Sequence, residues 1–270
     1  MKIKFLHVPK TAGTSVRHFL QMFFLPRHVC PASSNEQFRA VPRERLGSYR
    51  LFAGHIDWVD LDPIEGESFT FSILRQPQDR LVSYYFYLRS EGLKLDAVNL
   101  AKPERRGMHA ALTLSPDDFF CGGGSTEVWK HIDAMFDNFY AYYFAERSFD
   151  ARRRIRVGVS VSETDLLTKA SRNLDRLDGL YSIGNLTLLQ EDVIAACGRQ
   201  GFGRWGALRA RLSPLRDMKL NTGAGSYASR IADLKALGAT HRTFDRIEEM
   251  TRLDDVIWKR LAPEHRPRSR

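Results

Sequence analysis

The chain has 270 residues, 43% hydrophobic and 27% charged, which is ordinary for a globular protein and enough for one large domain or two small ones. A formal net charge of +9 biases it toward an anionic partner: a nucleotide, a nucleic acid, an acidic glycan or a membrane surface. Its three cysteines, Cys30, Cys121 and Cys197, are an odd number at unrelated spacings; they argue against a zinc or disulfide framework and suit reduced thiols.

The first element is carried by "FLHVPKTAGTSVRHFL", residues 5–20. Ile3, Phe5, Leu6 and Val8 predict a short buried strand ending at Pro9. Val16, Phe19, Leu20 and Phe23 recur at the spacing of an amphipathic helix. The joint between them holds one cation, three hydroxyls and a glycine. A helix N-terminus with unpaired N–H groups attracts anions, so the joint reads as a phosphate cradle; an ordinary capped turn is the bland alternative. Because His7 and Pro9 break the apolar run, it does not read as a signal peptide. No run reaches the length of a membrane span, so the expectation is a soluble, cytoplasmic chain.

Residues 25–48, rich in Pro, Ser, Arg and Asn, read mostly as loop. LFAGH (51–55) and the β-branched and aromatic SFTFSILR (68–75) predict strands. Pro77 suits the first turn of a helix running to about Arg89, with Leu81, Tyr85 and Leu88 on one face. Residues 90–124 lose periodicity. Ser125 then caps a helix on which Val128, Ile132, Met135, Phe136 and Phe139 keep helical spacing. IRVGVSV (155–161) predicts a strand, followed by a polar helix over 163–174. YSIGNL (181–186) predicts another strand, leading into a helix through Cys197, and two helices near 229–237 and 241–261 close the chain. With no repeat or interdomain linker, 1–262 reads as a single domain and 263–270 as a disordered basic tail. Basic residues recur at 152–156, 204–216 and 259–270; RRRIR (152–156) is either a recruiting surface or a solvated face.

Strands alternating with helices predict an α/β fold with a central, mostly parallel sheet covered on both faces. Ligands bind such sheets at the carboxyl ends of the strands, and the turn at 10–15, His55 and Arg75 each directly follow a strand. That places all three on one rim.

The order of "HVPKTAGTS" differs from a Walker A loop, since Lys10 precedes the glycine. It resembles the 5′-phosphosulfate loop of the sulfotransferases that use 3′-phosphoadenosine 5′-phosphosulfate (PAPS). The carbohydrate type, including the heparan sulfate 2-O- and 6-O-sulfotransferases and bacterial relatives, is the most similar. Within "FTFSILRQPQDRLVSYYFY" (69–87), Arg75 and Ser83 match the spacing of that family's 3′-phosphate motif. "FAGHIDW" (52–58) resembles the segment bearing its catalytic histidine, here His55. KLNTG (219–223) is a candidate for a late loop over the nucleotide.

The resemblance implies a P-loop-like three-layer fold and sulfuryl transfer from PAPS to a hydroxyl of a carbohydrate or glycan acceptor, leaving adenosine 3′,5′-bisphosphate (PAP). It implies no nucleic-acid partner. Sulfate carries less charge than phosphate, so no metal is required, and the expectation of no membrane span departs from the animal enzymes, which carry a Golgi membrane anchor. Lys10, Thr11, Ala12, Gly13, Thr14 and Ser15 are then the 5′-phosphate loop, Arg75 and Ser83 the 3′-phosphate grip, and His55 and Lys10 the catalytic pair. Sulfuryl transfer needs positioning and charge stabilisation, a base for the acceptor hydroxyl, and a cation where the leaving oxygen gains charge. Three positions depart from the family pattern. Ala12 stands where many relatives have glycine, and alanine fits only if that residue stays out of the left-handed region. Gln76 replaces a common acid, and Ala53 a second histidine of some 2-O enzymes. His7 reads as structural, Tyr84, Tyr85 and Tyr87 as core, and Asp57 and Trp58 as either shaping the acceptor mouth or packing. Two other classes stay open: a small-molecule kinase, lacking here a Walker lysine after the glycine and a magnesium-binding acid, and a non-catalytic binding module for acidic glycans or nucleic acid.

Overall fold

A computed structural model of the chain describes residues 1–152, 161–198, 215 and 226–261. The expected strand at 155–161 (Val161 apart), the arginines at 153–156, nearly all of the basic 204–216 stretch, KLNTG and the 263–270 tail lie outside the described residues.

The strands β1 (Lys2–Leu6), β2 (Leu51–Gly54), β3 (Ser68–Leu74) and β4 (Gly179–Ser182) form one sheet in the order β2-β1-β3-β4. All three pairings are parallel, with Leu6 opposite Gly54 on one side and Ser72 on the other. The helices among the described residues are α1 (Gly13–Gln21), α2 (Asn35–Arg39), α3 (Arg43–Leu46), α4 (Trp58–Leu61), α5 (Pro77–Gly92), α6 (Ala97–Leu100) and α7 (Arg106–Thr113). There follow α8 (Pro116–Cys121), α9 (Thr126–Phe136), α10 (Phe139–Glu146), α11 (Glu163–Leu174), α12 (Leu186–Gly198), α13 (Tyr227–Ala236) and α14 (His241–Lys259).

Strand periodicity sorts the side chains onto two buried faces. Ile3, Phe5, Leu51, Ala53, Phe71 and Ile73 pack against Val16, Phe19 and Leu20 of α1 and Leu189 and Val193 of α12. Leu6, Phe52 and Leu74 pack on the other side with Tyr140 and Phe144 of α10 and Leu166 and Ala170 of α11. Helices therefore cover both faces of the parallel sheet. A third cluster lies among helices: Leu81, Tyr85 and Leu88 of α5 meet Phe119, Phe120, Phe136 and Met250. Each fully buried Phe or Leu contributes roughly 1.5–3 kcal/mol.

Where the elements differ from the sequence expectation, local chemistry explains it. Short helices interrupt the 25–48 stretch read as loop and the 90–124 stretch without periodicity, and Ser34, Asp96 and Ser115 cap α2, α6 and α8 by accepting backbone N–H bonds from Gln37, Asn99 and Asp118. The helix capped by Ser125 stops at Phe136, because Asn138 turns left-handed (φ 49°), so Phe139 opens α10 instead. β4 begins at Gly179, ahead of the predicted Tyr181. Among the described residues no helix is long and apolar enough to cross a membrane.

Candidate active site

Parallel strands put the ends of β1, β2 and β3 on one edge of the sheet, and the loop at 7–12, His55 and Arg75 leave from that edge. The loop after β1 is strained. Lys10 (φ 70°) and Ala12 (φ 65°, ψ 20°) both adopt the left-handed conformation. That corrects the expectation for Ala12. Such a residue without glycine costs about 1–2 kcal/mol, and persists only where its surroundings hold it. Two anchors are visible: the fully buried Thr11 donates its hydroxyl to the Val8 carbonyl at 2.8 Å, and Arg75 Nη1 donates to the Lys10 carbonyl at 3.4 Å. The Thr11 hydroxyl thus shapes the loop from below. Ala12 is the N-cap of α1 without a side-chain cap, and no acid occupies the first turn, where Thr14 is exposed and Ser15 buried. No acidic side chain within that turn offsets the positive end of its dipole.

Arg75 is held from several directions. Its backbone N–H and carbonyl both bond the Tyr140 hydroxyl, at 3.1 and 2.9 Å. Its Nε donates to Asp79 Oδ2 at 2.6 Å, and Nη1 donates to Ser83 Oγ at 2.9 Å. The i, i+8 spacing read in the sequence is therefore a direct contact. The other Asp79 oxygen pairs with Arg230 of α13, a buried guanidinium (4% exposed) from far along the chain. Sequence reasoning missed Arg230, because only the docking of α13 on α5 brings it there. Gln76 caps α5 by accepting the Asp79 N–H.

Lys10 lies among these cations. Burial, then Arg75, bring its pKa down to about 8, with Glu91 opposing and Arg230 adding to the fall. Its Nζ sits 4.1 Å from the Tyr87 ring centre, a cation–π contact on the half-open face of α5. Of the three tyrosines read as core, Tyr85 is fully buried, Tyr84 stacks on Phe136, and Tyr87 is 40% exposed.

His55 follows β2, its N–H bonded to the Ser33 carbonyl. Its Nδ1 lies 2.8 Å from the His7 carbonyl oxygen, which can only accept, so Nδ1 carries the proton and Nε2 is the basic nitrogen. The ring stacks on His7 at 4.0 Å and meets the edge of Phe149. Burial lowers the His55 pKa, with Arg17 and Lys10 adding to the fall and the His7 carbonyl opposing it, so the ring is neutral at neutral pH. Phe149 is fixed by Asp57, which is fully buried and accepts the Phe149 N–H at 2.7 Å and the Ser148 hydroxyl at 3.0 Å. Trp58 is buried in the core. Both residues support the site from beneath. Arg152, the described member of RRRIR, is clamped by Asp133 and Asp137 with its side chain 12% exposed, so it is neither a solvated face nor an open recruiting charge.

The structure brings the candidate residues together in two linked sets: Lys10, Arg75 and Ser83, and His55 with His7 beside Gly13. No protein-family model matches the chain, and a search of curated proteins finds no match.

Proposed function

We propose that the chain is a sulfotransferase that moves a sulfuryl group from PAPS to a hydroxyl of a carbohydrate or glycan. The observation that carries this reading is the Arg75 guanidinium, which joins Ser83 and the Lys10 carbonyl and so fuses two separately recognised phosphate motifs into one cationic site. A P-loop-like, three-layer arrangement is supported by the inner strand β1 running through a short loop into α1, with helices on both faces of the sheet.

The residues fit a nucleotide bearing two phosphate groups. Arg75 and Arg230 converge on one carboxylate, Lys10 stands beside them, and the first turn of α1 has neither acid nor side-chain cap. In this reading the backbone of Lys10–Ser15, with Thr14 and Ser15, holds the 5′-phosphate, while Arg75 and Ser83 hold the 3′-phosphate. The donor supplies an activated sulfuryl group on a phosphate leaving group. Lys10 offers an ammonium, poised near neutrality, where negative charge grows. His55 receives the acceptor's hydroxyl proton at Nε2, its tautomer already set at Nδ1.

Calorimetry with PAP in the presence of EDTA tests the reading, followed by transfer of radiolabelled sulfate from PAPS into fractionated glycans. PAP at a hundred times its Kd adds about 2.7 kcal/mol of apparent stability. A folded chain that shows no heat and no thermal shift with millimolar PAP overturns the assignment.

A further inference from the structure

Resting on the reading of His55 as the base, we infer that His7 is a positioning residue: it fixes the His55 ring in its proton-accepting form and ties it to the first turn of α1. His7 follows β1 and forms the middle of a stack of three rings, with Phe5 at 5.1 Å (16° between planes) on one side and His55 at 4.0 Å (25°) on the other. The same residue supplies the carbonyl that accepts the hydrogen bond from His55 Nδ1–H. One residue therefore sets the plane of the base through its ring and the tautomer of the base through its backbone.

Gly13 shows how tightly His7 is built in. A Cβ at position 13 would lie 1.5 Å from His7 Nε2, so any other residue at the start of α1 would drive the ring from its place. Gly13 has an ordinary helical backbone; its missing side chain is what matters. The ring of His7 fills that space, linking the loop that presents Lys10 to the ring of His55. The charged groups that face the pair are Arg17 of α1 and Lys10 of the loop, while Phe5 and Phe149 are apolar. Burial, then His55, Arg17 and Lys10, hold His7 well below the ordinary histidine range, so it acts as a neutral ring.

Nitrogen NMR of the histidines in the full chain at pH 7.5 reads this directly, whether or not an acceptor is known. The wild-type His55 is expected neutral, protonated at Nδ1 and bare at Nε2. His7→Leu preserves volume without a ring, so a plain packing role would survive it. The backbone carbonyl at position 7 stays, but the ring that keeps the imidazole in line with it is gone, so the His55 ring is expected to leave that hydrogen bond part of the time and show mixed tautomers. Sulfuryl transfer is expected to fall by about 10²-fold, the scale of a misplaced reacting group, while PAP affinity stays near wild type. His7→Phe restores the stack and is expected to return the Nδ1–H tautomer and most of the turnover. An Nε2-protonated His55 in the wild type overturns the inference, as does a His7→Leu variant whose His55 spectrum is unchanged. If the wild-type chain transfers no sulfuryl group, the functional reading fails, while the spectra still decide the role of His7.

Discussion

In the proposed reaction, His55 as base and Lys10 as cation place opposite demands on the proton. His55 works as a base only when neutral, and burial has lowered its pKa from 6.5, so activity falls as pH drops through a value below 6.5. Lys10 works as a cation, and its pKa near 8 means activity falls as pH rises through about 8. The expected kcat/KM profile is a bell with its plateau between those limits, measured as initial rates from pH 5 to 9.5. His55→Ala is expected to lower kcat by about 10²–10⁴-fold with PAP affinity unchanged; a variant with near-normal turnover removes His55 from the chemistry. At the other end of the nucleotide, Arg75→Ala is expected to weaken PAP by roughly 10- to 150-fold, the cost of a lost charged hydrogen bond. Because Arg75 also holds the Lys10 carbonyl, that variant loosens the 5′ loop as well. Ser83→Ala is the cleaner probe. Calorimetry should show it weakening PAP while sparing adenosine 5′-phosphate, which lacks the 3′ group; equal losses for both nucleotides would remove Ser83 from the 3′ site.

The loop and helix that follow β1 make a sharper test of backbone geometry. Ala12 is left-handed, so Ala12→Gly removes a strain of about 1–2 kcal/mol, partly offset by about 0.4–1 kcal/mol of extra freedom in the unfolded chain. The expected result is a stabilisation of between about 0 and 1.6 kcal/mol in denaturant titration, and a destabilised glycine variant would contradict the strain. Gly13→Ala, one residue on, should do the reverse, because its methyl group enters the His7 ring; overpacking of this kind costs about 1–3 kcal/mol. The strands at 51–54 and 68–74 and the Pro77 helix were legible because periodicity is a local property of the chain, whereas Arg75 and Ser83 were picked out by the resemblance and their direct contact came only with the fold. The left-handed turn at Ala12 was not, since nothing in an alanine announces it and the bonds from Thr11 and Arg75 that hold the loop are set by the fold. The short helices α7 and α8 escaped for a related reason: helices this brief are made by packing, here Ala110, Ala111, Phe119 and Phe120 against α5, more than by their own pattern. Arg230 looked like any charged residue on a polar helix until α13 met Asp79.

Across the whole molecule, the C-terminal helix reaches the site through a buried polar chain. Asp254 of α14 is fully buried, and its Oδ1 accepts the Ala141 N–H at 2.9 Å in the first turn of α10. The neighbouring Tyr140 hydroxyl bonds both backbone groups of Arg75. Asn138 adds two bolts to α14, donating its N–H to the Met250 carbonyl and accepting the Leu253 N–H. Burial pushes the Asp254 pKa up to about 7, although Arg80 and the backbone bonds pull the other way. The folded chain thus keeps a proton that the unfolded chain releases near pH 3.8. Between those values the native state binds more protons, so this group's contribution to stability is full below pH 3.8 and is lost as pH rises through about 7. Asp254→Asn mimics the protonated carboxyl and can still accept the Ala141 N–H, so its own contribution does not change with pH. Whatever fixed offset the amide introduces, the variant should gain on the wild type by up to about 1.4 kcal/mol for each pH unit between 5 and 7, the value of one proton. Above about pH 7 the gap should level off, because both folded and unfolded carboxyls are then ionised. Urea titrations of the two proteins at pH 5, 6, 7 and 8 give the curve, and parallel stability lines across that range would show that Asp254 is ionised in the fold throughout.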